Sequence, residues 1–159
     1  MTVFLVRHAH AVDERRDLPG RDLPDHARHL SAVGRDAARA LGLRLRWHDC
    51  TPTALWTSPL TRAVMTAELV AAAIEWTGSI ETVTALAPDG AARDVIAALT
   101  ALDPDSVVLM FGHEPSLSAL GARLTGDADF AALAKAQAVR IDGRVARWRF
   151  AHDDHAPVP

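Results

Sequence analysis

Met1-Thr2-Val3-Phe4-Leu5-Val6-Arg7-His8-Ala9-His10 opens the chain, and the reading of this stretch decides the fold. Five of its first six residues are apolar, and Val3, Phe4 and Val6 are β-branched or aromatic. A short continuous apolar run of this kind reads as a buried strand. It delivers Arg7 and His8 at its carboxyl end, and in open α/β sheets ligands bind beyond the carboxyl ends of the strands. Arg7 is a planar, forked, permanent donor suited to oxyanions. His8 is a nucleophile when its imidazole is neutral. Alone, the pair fits either phosphoryl chemistry on a histidine or a strand that ends in water.

Outward from this strand the pattern alternates. Ala11 to Leu30 is charged and broken by Pro and Gly. It reads as a long loop, either functional over the crevice beside His8 or a solvated connector. Ser31 is placed to cap a helix to about Trp47, with Ala32, Val33, Ala37, Ala40, Leu41 and Leu45 as its apolar stripe. Ala54–Thr57 is a second strand, and Ser58-Pro59 reads as N-cap and first residue of the next helix. That helix carries Leu60, Ala63, Val64, Ala67, Val70, Ala71 and Ile74 at a 3.6-residue spacing, with Arg62 in its opening turn. Ile80–Ala85 is a weaker strand, broken at Pro88-Asp89-Gly90. A helix follows over about 91–102, with Val95, Ile96 and Leu99 inward. Ser106–Phe111 is a clear buried strand ending in Gly112-His113-Glu114-Pro115, and a further helix stops near Gly126. Ala138–Ile141 and Arg144–Phe150, either side of Asp142-Gly143, read as a hairpin.

The expected fold is therefore α/β: a three-layer α/β/α sandwich around a mostly parallel sheet of roughly six strands, with an antiparallel edge hairpin. At 159 residues the chain is one domain, taken as 1–151, with 152–159 a frayed tail. It is 49% apolar and 23% charged, with net charge −3, which excludes disorder and a global nucleic-acid or membrane footprint. Cys50, the single cysteine, rules out an internal disulfide and reads as a buried small residue. The opening apolar run is too short for a signal peptide and no stretch reaches transmembrane length, so a soluble cytoplasmic protein is expected.

Three strands now end alike: Arg7-His8, Ser58-Pro59 with Arg62, and Gly112-His113. In a parallel sheet these ends share one edge, so two arginines and two histidines converge. Arg7-His8, Ser58-Pro59-Leu60-Thr61-Arg62-Ala63 with Thr66-Ala67, and Gly112-His113-Glu114-Pro115 together resemble the histidine phosphatase superfamily, which includes the phosphoglycerate mutases. The short length is most similar to its small branch, the SixA-type phosphohistidine phosphatases. The resemblance spans about residues 1–126. It implies a metal-independent phosphatase in which His8 is the nucleophile, carrying the phosphoryl group as a phosphohistidine intermediate. Arg7, Arg62 and His113 complete the phosphate pocket, and no cofactor or metal is required. The implied partner is a phosphorylated substrate, such as a phosphohistidine-carrying signalling protein.

The chain departs from the family pattern in three places. Ala9 stands where a glycine is usual, which calls for either ordinary backbone or a rearranged turn. Met65 replaces a glutamine and is expected to face the core. The general acid is open: the candidates are Asp89, near where mutase relatives place a glutamate, and Glu114, where the acid-phosphatase branch places an aspartate. Each also fits a plain role, Asp89 in a turn and Glu114 at a helix start. An alkoxide needs a proton to leave, whereas the imidazole of a phosphohistidine is a far better leaving group, so a site without a firm acid favours phosphoramidates. The alternatives are a phosphatase of small phosphomonoesters, such as sugar or nucleotide phosphates, or a non-catalytic phosphate-binding member of the fold.

The remaining histidines carry less. His10 reads as either a substrate contact or a surface residue, while His26, His29, His48, His152 and His155 read as solvated. His8-Ala9-His10 also resembles the His-x-His of metal-dependent hydrolases, but such barrels take about 250 residues. His152-Asp153-Asp154-His155 has metal-ligand residue types in a tail too frayed to form a site.

Overall fold

The computed structural model describes residues 1–12, 23–48 and 50–154. Its centre is β1 (Thr2–Arg7), whose inner four residues are all buried. Alternation along β1 sends Phe4 and Val6 to one side and Val3 and Leu5 to the other. Phe4 and Val6 meet α1 (Ala32–Trp47) and α2 (Thr61–Ala73) through Leu41, Leu45, Ala67 and Val70. Val3 and Leu5 meet α3 (Ala92–Thr100) and α4 (Ser116–Thr125) through Val95, Leu99, Leu117 and Leu120. Helices cover both faces, so every inner β1 position must be apolar. That is why the strand reads as an unbroken run.

The other strands are β2 (Ala54–Thr57), β3 (Glu81–Thr82), β4 (Val107–Gly112), β5 (Gln137–Asp142) and β6 (Val145–Ala151). The six-stranded sheet runs β3-β2-β4-β1-β5-β6. The pairs from β3 to β1 are parallel, whereas β5 is antiparallel to both β1 and β6. The expected sandwich with an antiparallel edge hairpin is the observed architecture.

Several local expectations are corrected. The strand expected at 80–85 is only Glu81–Thr82, followed by a 3-10 turn at Thr84–Leu86. Both of its residues are exposed at the sheet edge, where a short strand limits unwanted pairing. The helix expected from Pro59 begins at Thr61 with Leu60 at the N-cap, and Ser58 Oγ accepts the Leu60 N–H at 3.3 Å while also meeting His113. In the hairpin Asp142 pairs with Val145, so Gly143 and Arg144 form the two-residue loop. Only Gly143 there has a positive φ, 59°, which suits glycine at the first position of a type II′ turn. Asp142 is thereby left in the strand, where its carboxylate accepts from Thr2, Arg140 and Arg147.

The Ser31 cap forms as expected, its Oγ accepting from the Gly34 N–H at 3.1 Å. Ala32 and Val33, expected in the apolar stripe, face solvent, and Gly34 faces inward instead. The chain at His10 lies so close that a Cβ on Gly34 would stand 2.0 Å from the His10 carbonyl oxygen. His48, expected in solvent, packs against Trp148 and Phe150 with ring centroids 5.8 and 5.2 Å apart. Cys50 is buried and Met65 half-buried against the α1–α2 core, both as read from sequence. Beyond residue 151, the His152 carbonyl still accepts from Arg44 and the Asp154 carboxylate from the Ala151 N–H, while 155–159 lie outside the described residues.

Gly34 supplies the prediction for the fold. Gly34→Ala forces backbone at His10 to move and should cost about 1–3 kcal/mol, as overpacking does. Urea unfolding of the variant reads this directly, and an unchanged midpoint would contradict the close approach.

Candidate active site

Register brings the crevice together. β1 pairs with β4 up to Arg7 opposite Gly112, and β2 pairs with β4 up to Thr57 opposite Phe111. Each ladder continues one residue further, His8 N–H to Gly112 O at 3.1 Å and Ser58 N–H to Phe111 O at 2.9 Å. His8, Ser58 and His113 therefore emerge at one sheet edge. The His8 and His113 rings lie 4.9 Å apart at 52°, and His113 Nε2 is 2.8 Å from Ser58 Oγ. Arg62 adds a guanidinium from the first turn of α2 and is itself buried.

His8 is oriented by backbone. Its Nδ1 lies 2.7 Å from the Ala9 carbonyl oxygen. A carbonyl only accepts, so Nδ1 carries the proton and Nε2 keeps its lone pair. The same Ala9 residue donates its N–H to Thr66 Oγ1 at 3.1 Å, and Thr66 donates to the Arg62 carbonyl at 2.7 Å. Thr66 thus ties the backbone beside His8 to the first turn of α2. Ala9 does not need a glycine's conformation: among the described residues, Glu75 and Ala136 are the non-glycine positions with positive φ. Its methyl group is buried in the α1–α2 core.

Both arginines are gripped at the end of the guanidinium. Arg7 Nη1 donates to the Leu133 carbonyl at 2.7 Å. Arg62 Nη1 donates to the Asp25 carbonyl at 2.7 Å and Nη2 to Asp25 Oδ2 at 3.1 Å. Asp25 also receives Arg28 Nη1 at 3.2 Å, and Arg28 Nε donates to the Val12 carbonyl. Arg7 Nε, Arg62 Nε and His113 Nδ1 are all buried without a hydrogen-bond partner. A fourth such atom among the described residues, His152 Nδ1, follows the end of β6. Buried polar groups are ordinarily satisfied, so three unpartnered nitrogens on residues of one site are an unusual concentration.

Burial is the largest influence on both imidazoles. It lowers His8 to about 4; the Ala9 hydrogen bond opposes this, and Arg62, Arg7 and Lys135 lower it further. His113 is lowered to about 3, by burial first and then by His8, Arg62 and Arg7, with Asp25 acting in the opposite sense. Arg62 and Arg7 act on His8 in the direction that nearby cations must, but their influence is secondary to desolvation. At neutral pH both rings are uncharged beside two permanent cations.

The structure places the other expected site residues as follows. Glu114 accepts the Leu133 N–H at 2.8 Å with one oxygen and Ser118 with the other. It thereby fixes the segment whose carbonyl holds Arg7. Asp89 is exposed in the break before α3. Among the described residues, neither carboxylate hydrogen-bonds to Arg7, His8, Arg62 or His113. His10 is exposed and meets Ser31 Oγ at 2.8 Å, at the cap of α1, so it diverges from His8 rather than pairing with it. No group of three or more His, Cys, Asp or Glu among the described residues is placed to hold a metal ion. Of the 11–30 loop, 13–22 lie outside the described residues, and the remainder reaches the site through Asp25.

Sequence reading missed four participants: Asp25, the Ser58 hydroxyl as a partner of His113, Thr66 as the link between Ala9 and Arg62, and the Leu133 carbonyl. Only Ser58 and Thr66 carried a local signal, through their position in the Arg62 motif. Asp25 is one of several acidic residues in a charged loop, and a backbone carbonyl has no sequence signature.

The family model of the histidine phosphatase superfamily (branch 1) matches residues 3–87. No curated protein matches the sequence. Among solved structures, the protein histidine phosphatase SixA complexed with tungstate superposes with a TM-score of 0.85 at 24% identity, over 96% of this chain and 97% of that one. A protein assigned as phosphohistidine phosphatase SixA from Agrobacterium tumefaciens gives 0.80 at 18% identity, over 94% and 97%. A mycobacterial glucosyl-3-phosphoglycerate phosphatase with inorganic phosphate gives 0.64 at 17%, over 89% of each chain. These likenesses agree with the fold, and the family match covers the strand and helix that supply Arg7, His8 and Arg62. The chain is a phosphatase that belongs to the histidine phosphatase superfamily.

Proposed function

We propose that this chain hydrolyses protein phosphohistidine through a covalent intermediate on His8. The observation that carries the reading is the bare His8 Nε2 among three unpartnered buried nitrogens, Arg7 Nε, Arg62 Nε and His113 Nδ1. A phosphoryl group attached to Nε2 lies beside the Arg7 and Arg62 guanidiniums and the His113 ring, which accommodate its charge. In the first step the Nε2 lone pair attacks phosphorus, the bond from phosphorus to the substrate imidazole nitrogen breaks, and its electron pair stays on that nitrogen, which leaves as neutral imidazole because the substrate ring carries a proton on its other nitrogen. In the second step water attacks phosphorus, the bond to Nε2 breaks, and inorganic phosphate leaves with His8 restored. The arginines hold the equatorial oxygens, where charge is borne throughout. The bound anion favours the protonated form of His113, which then donates to phosphate or leaving group. Both carboxylate candidates are placed away from this task, Glu114 by its bonds to Leu133 and Ser118 and Asp89 by exposure in its turn. That supports a substrate whose leaving group needs little acid assistance.

A second reading, hydrolysis of small phosphomonoesters, draws support from the similarity in fold to the mycobacterial sugar-phosphate phosphatase. Side-by-side rates on a phosphohistidine protein and on sugar or nucleotide phosphates separate the two. A cytoplasmic setting belongs to the same proposal; no helix among the described residues is long and apolar enough to cross a membrane.

Acid-quenched mass spectrometry after exposure to phosphoramidate donors should find the phosphoryl group on His8, and none in His8→Ala. Turnover without trapped label in any donor would contradict the covalent route. Arg62→Ala should lower kcat/KM by about 10²–10³, or roughly 3–4 kcal/mol of transition-state stabilisation. Equal turnover in that variant would remove Arg62 from the pocket.

The histidines also predict a pH dependence of stability. Both are depressed in the fold, to about 4 and about 3. On acidification the unfolded chain takes up these protons first, near pH 6.5. Their contribution is therefore full above 6.5 and is lost as the pH falls towards 4 and 3, by up to about 1.4 kcal/mol per pH unit for each ring. Saturating inorganic phosphate should flatten this slope, because the anion stabilises a protonated imidazole. Urea unfolding from pH 7.5 to 4.5, with and without phosphate, checks both; a slope identical in His8→Gln would contradict the assignment.

A further inference from the structure

Asp25 stands beside the crevice on a 3-10 turn (Asp25–Ala27), reached from the far end of the long loop. Its carboxylate is half exposed, whereas the Arg62 side chain that it meets is almost fully buried. Two acceptors of one residue, the backbone oxygen and Oδ2, take the two terminal nitrogens of the guanidinium. A guanidinium is planar and rigid, so fixing its end fixes the direction of its Nε edge. That edge is the one left buried and unpartnered.

We propose that Asp25 is a positioning residue for Arg62, clamping the end of its guanidinium so that the cation is held beside His8 and His113, where the phosphoryl group binds. The inference rests on the phosphate pocket proposed above. Arg28 shares the Asp25 carboxylate, so its negative charge is spread over two guanidiniums and does not confront the incoming anion alone. Without the carboxylate, the Asp25 carbonyl still holds Nη1, but the guanidinium is free to pivot about that single bond. The opposing arrangement is a carboxylate that occupies Arg62 and must be displaced by substrate. The two make opposite predictions, because removing a competitor tightens anion binding.

The test compares wild type, Asp25→Asn and Asp25→Ala by calorimetric titration with inorganic phosphate and by hydrolysis of phosphoimidazole. Loss of the partner of a buried arginine should lower the urea midpoint of Asp25→Ala, and a transition that stays cooperative, with a native circular dichroism spectrum, verifies that the variants fold. Asp25→Ala should weaken phosphate binding and lower kcat/KM about tenfold, the effect of losing one charge-assisted hydrogen bond. KM should bear most of that change, since His8 and its orienting Ala9 carbonyl are untouched. Asp25→Asn keeps an oxygen acceptor and should fall between wild type and Asp25→Ala, a rescue that bulk folding effects would not give. Phosphate binding by Asp25→Ala as tight as wild type, or tighter, overturns the proposal and leaves the phosphatase reading standing. Absence of phosphate binding by the wild type overturns both.

Discussion

The parallel ladder between β1 and β4 is the constraint on which the rest depends. A one-residue slip would turn Phe4 and Val6 away from α1 and α2 and would set Val3 and Leu5 against them, so burial on both faces locks the register. That lock also sets His8 one residue beyond Arg7, level with the end of β4, where His113 follows. The core packing and the site are thus specified by the same pairing. Once the sheet is in register, no further rearrangement is needed to bring the two imidazoles to 4.9 Å.

Placing this chemistry at the end of a buried strand carries a cost. Two permanent cations and two imidazoles occupy a crevice with little water, and three of their nitrogens lack partners. Leaving such groups unsatisfied costs about 1–3 kcal/mol each, more when they are charged. The fold limits the penalty by keeping both histidines neutral and by giving each arginine an acceptor at its far end. Arg7 receives the neutral Leu133 carbonyl, itself fixed by Glu114 through the Leu133 N–H. Arg62 receives a charged partner in Asp25. Within the site, what remains unsatisfied is confined to Arg7 Nε, Arg62 Nε and His113 Nδ1.

The sequence made the skeleton readable because two-faced burial leaves a plain mark: unbroken apolar runs at 3–6 and 107–111, with Arg7-His8 and His113 beyond their ends. Arg62 and His113 could be joined to His8 without coordinates, since parallel strands present their carboxyl ends together. The parts that stayed hidden are those set by tertiary contact. Ser58 reads as a helix cap, and its hydroxyl does accept the Leu60 N–H, but it also meets His113, and the helix starts at Thr61. Val33 fitted a helical stripe, but the close approach of His10 to Gly34 turns α1 so that Val33 is exposed. The hairpin turn was displaced by one residue because the Asp142 carboxylate is worth more in the strand, among Thr2, Arg140 and Arg147, than in the loop. Composition records residue types, not which of two available partners a hydroxyl or carboxylate takes.

Ala9 and Glu114, the two departures that most unsettled the reading of the chemistry, have physical explanations that point the same way. At Ala9 the working parts are backbone: the carbonyl that takes the His8 Nδ1 proton and the N–H that Thr66 holds. Neither requires glycine once the backbone avoids positive φ, and the methyl group adds packing against the α1–α2 core. At Glu114 the carboxylate has both oxygens engaged at the start of α4, in bonds that shape the wall around Arg7. Both oxygens are committed to the Ser118 and Leu133 donors, and neither is bonded to His8 or His113. On the proposed reading the crevice orients a nucleophile and holds an oxyanion, and it leaves any proton for the leaving group to His113 and not to a carboxylate. Such a division of labour suits a phosphorus–nitrogen bond better than a phosphorus–oxygen bond to an alcohol.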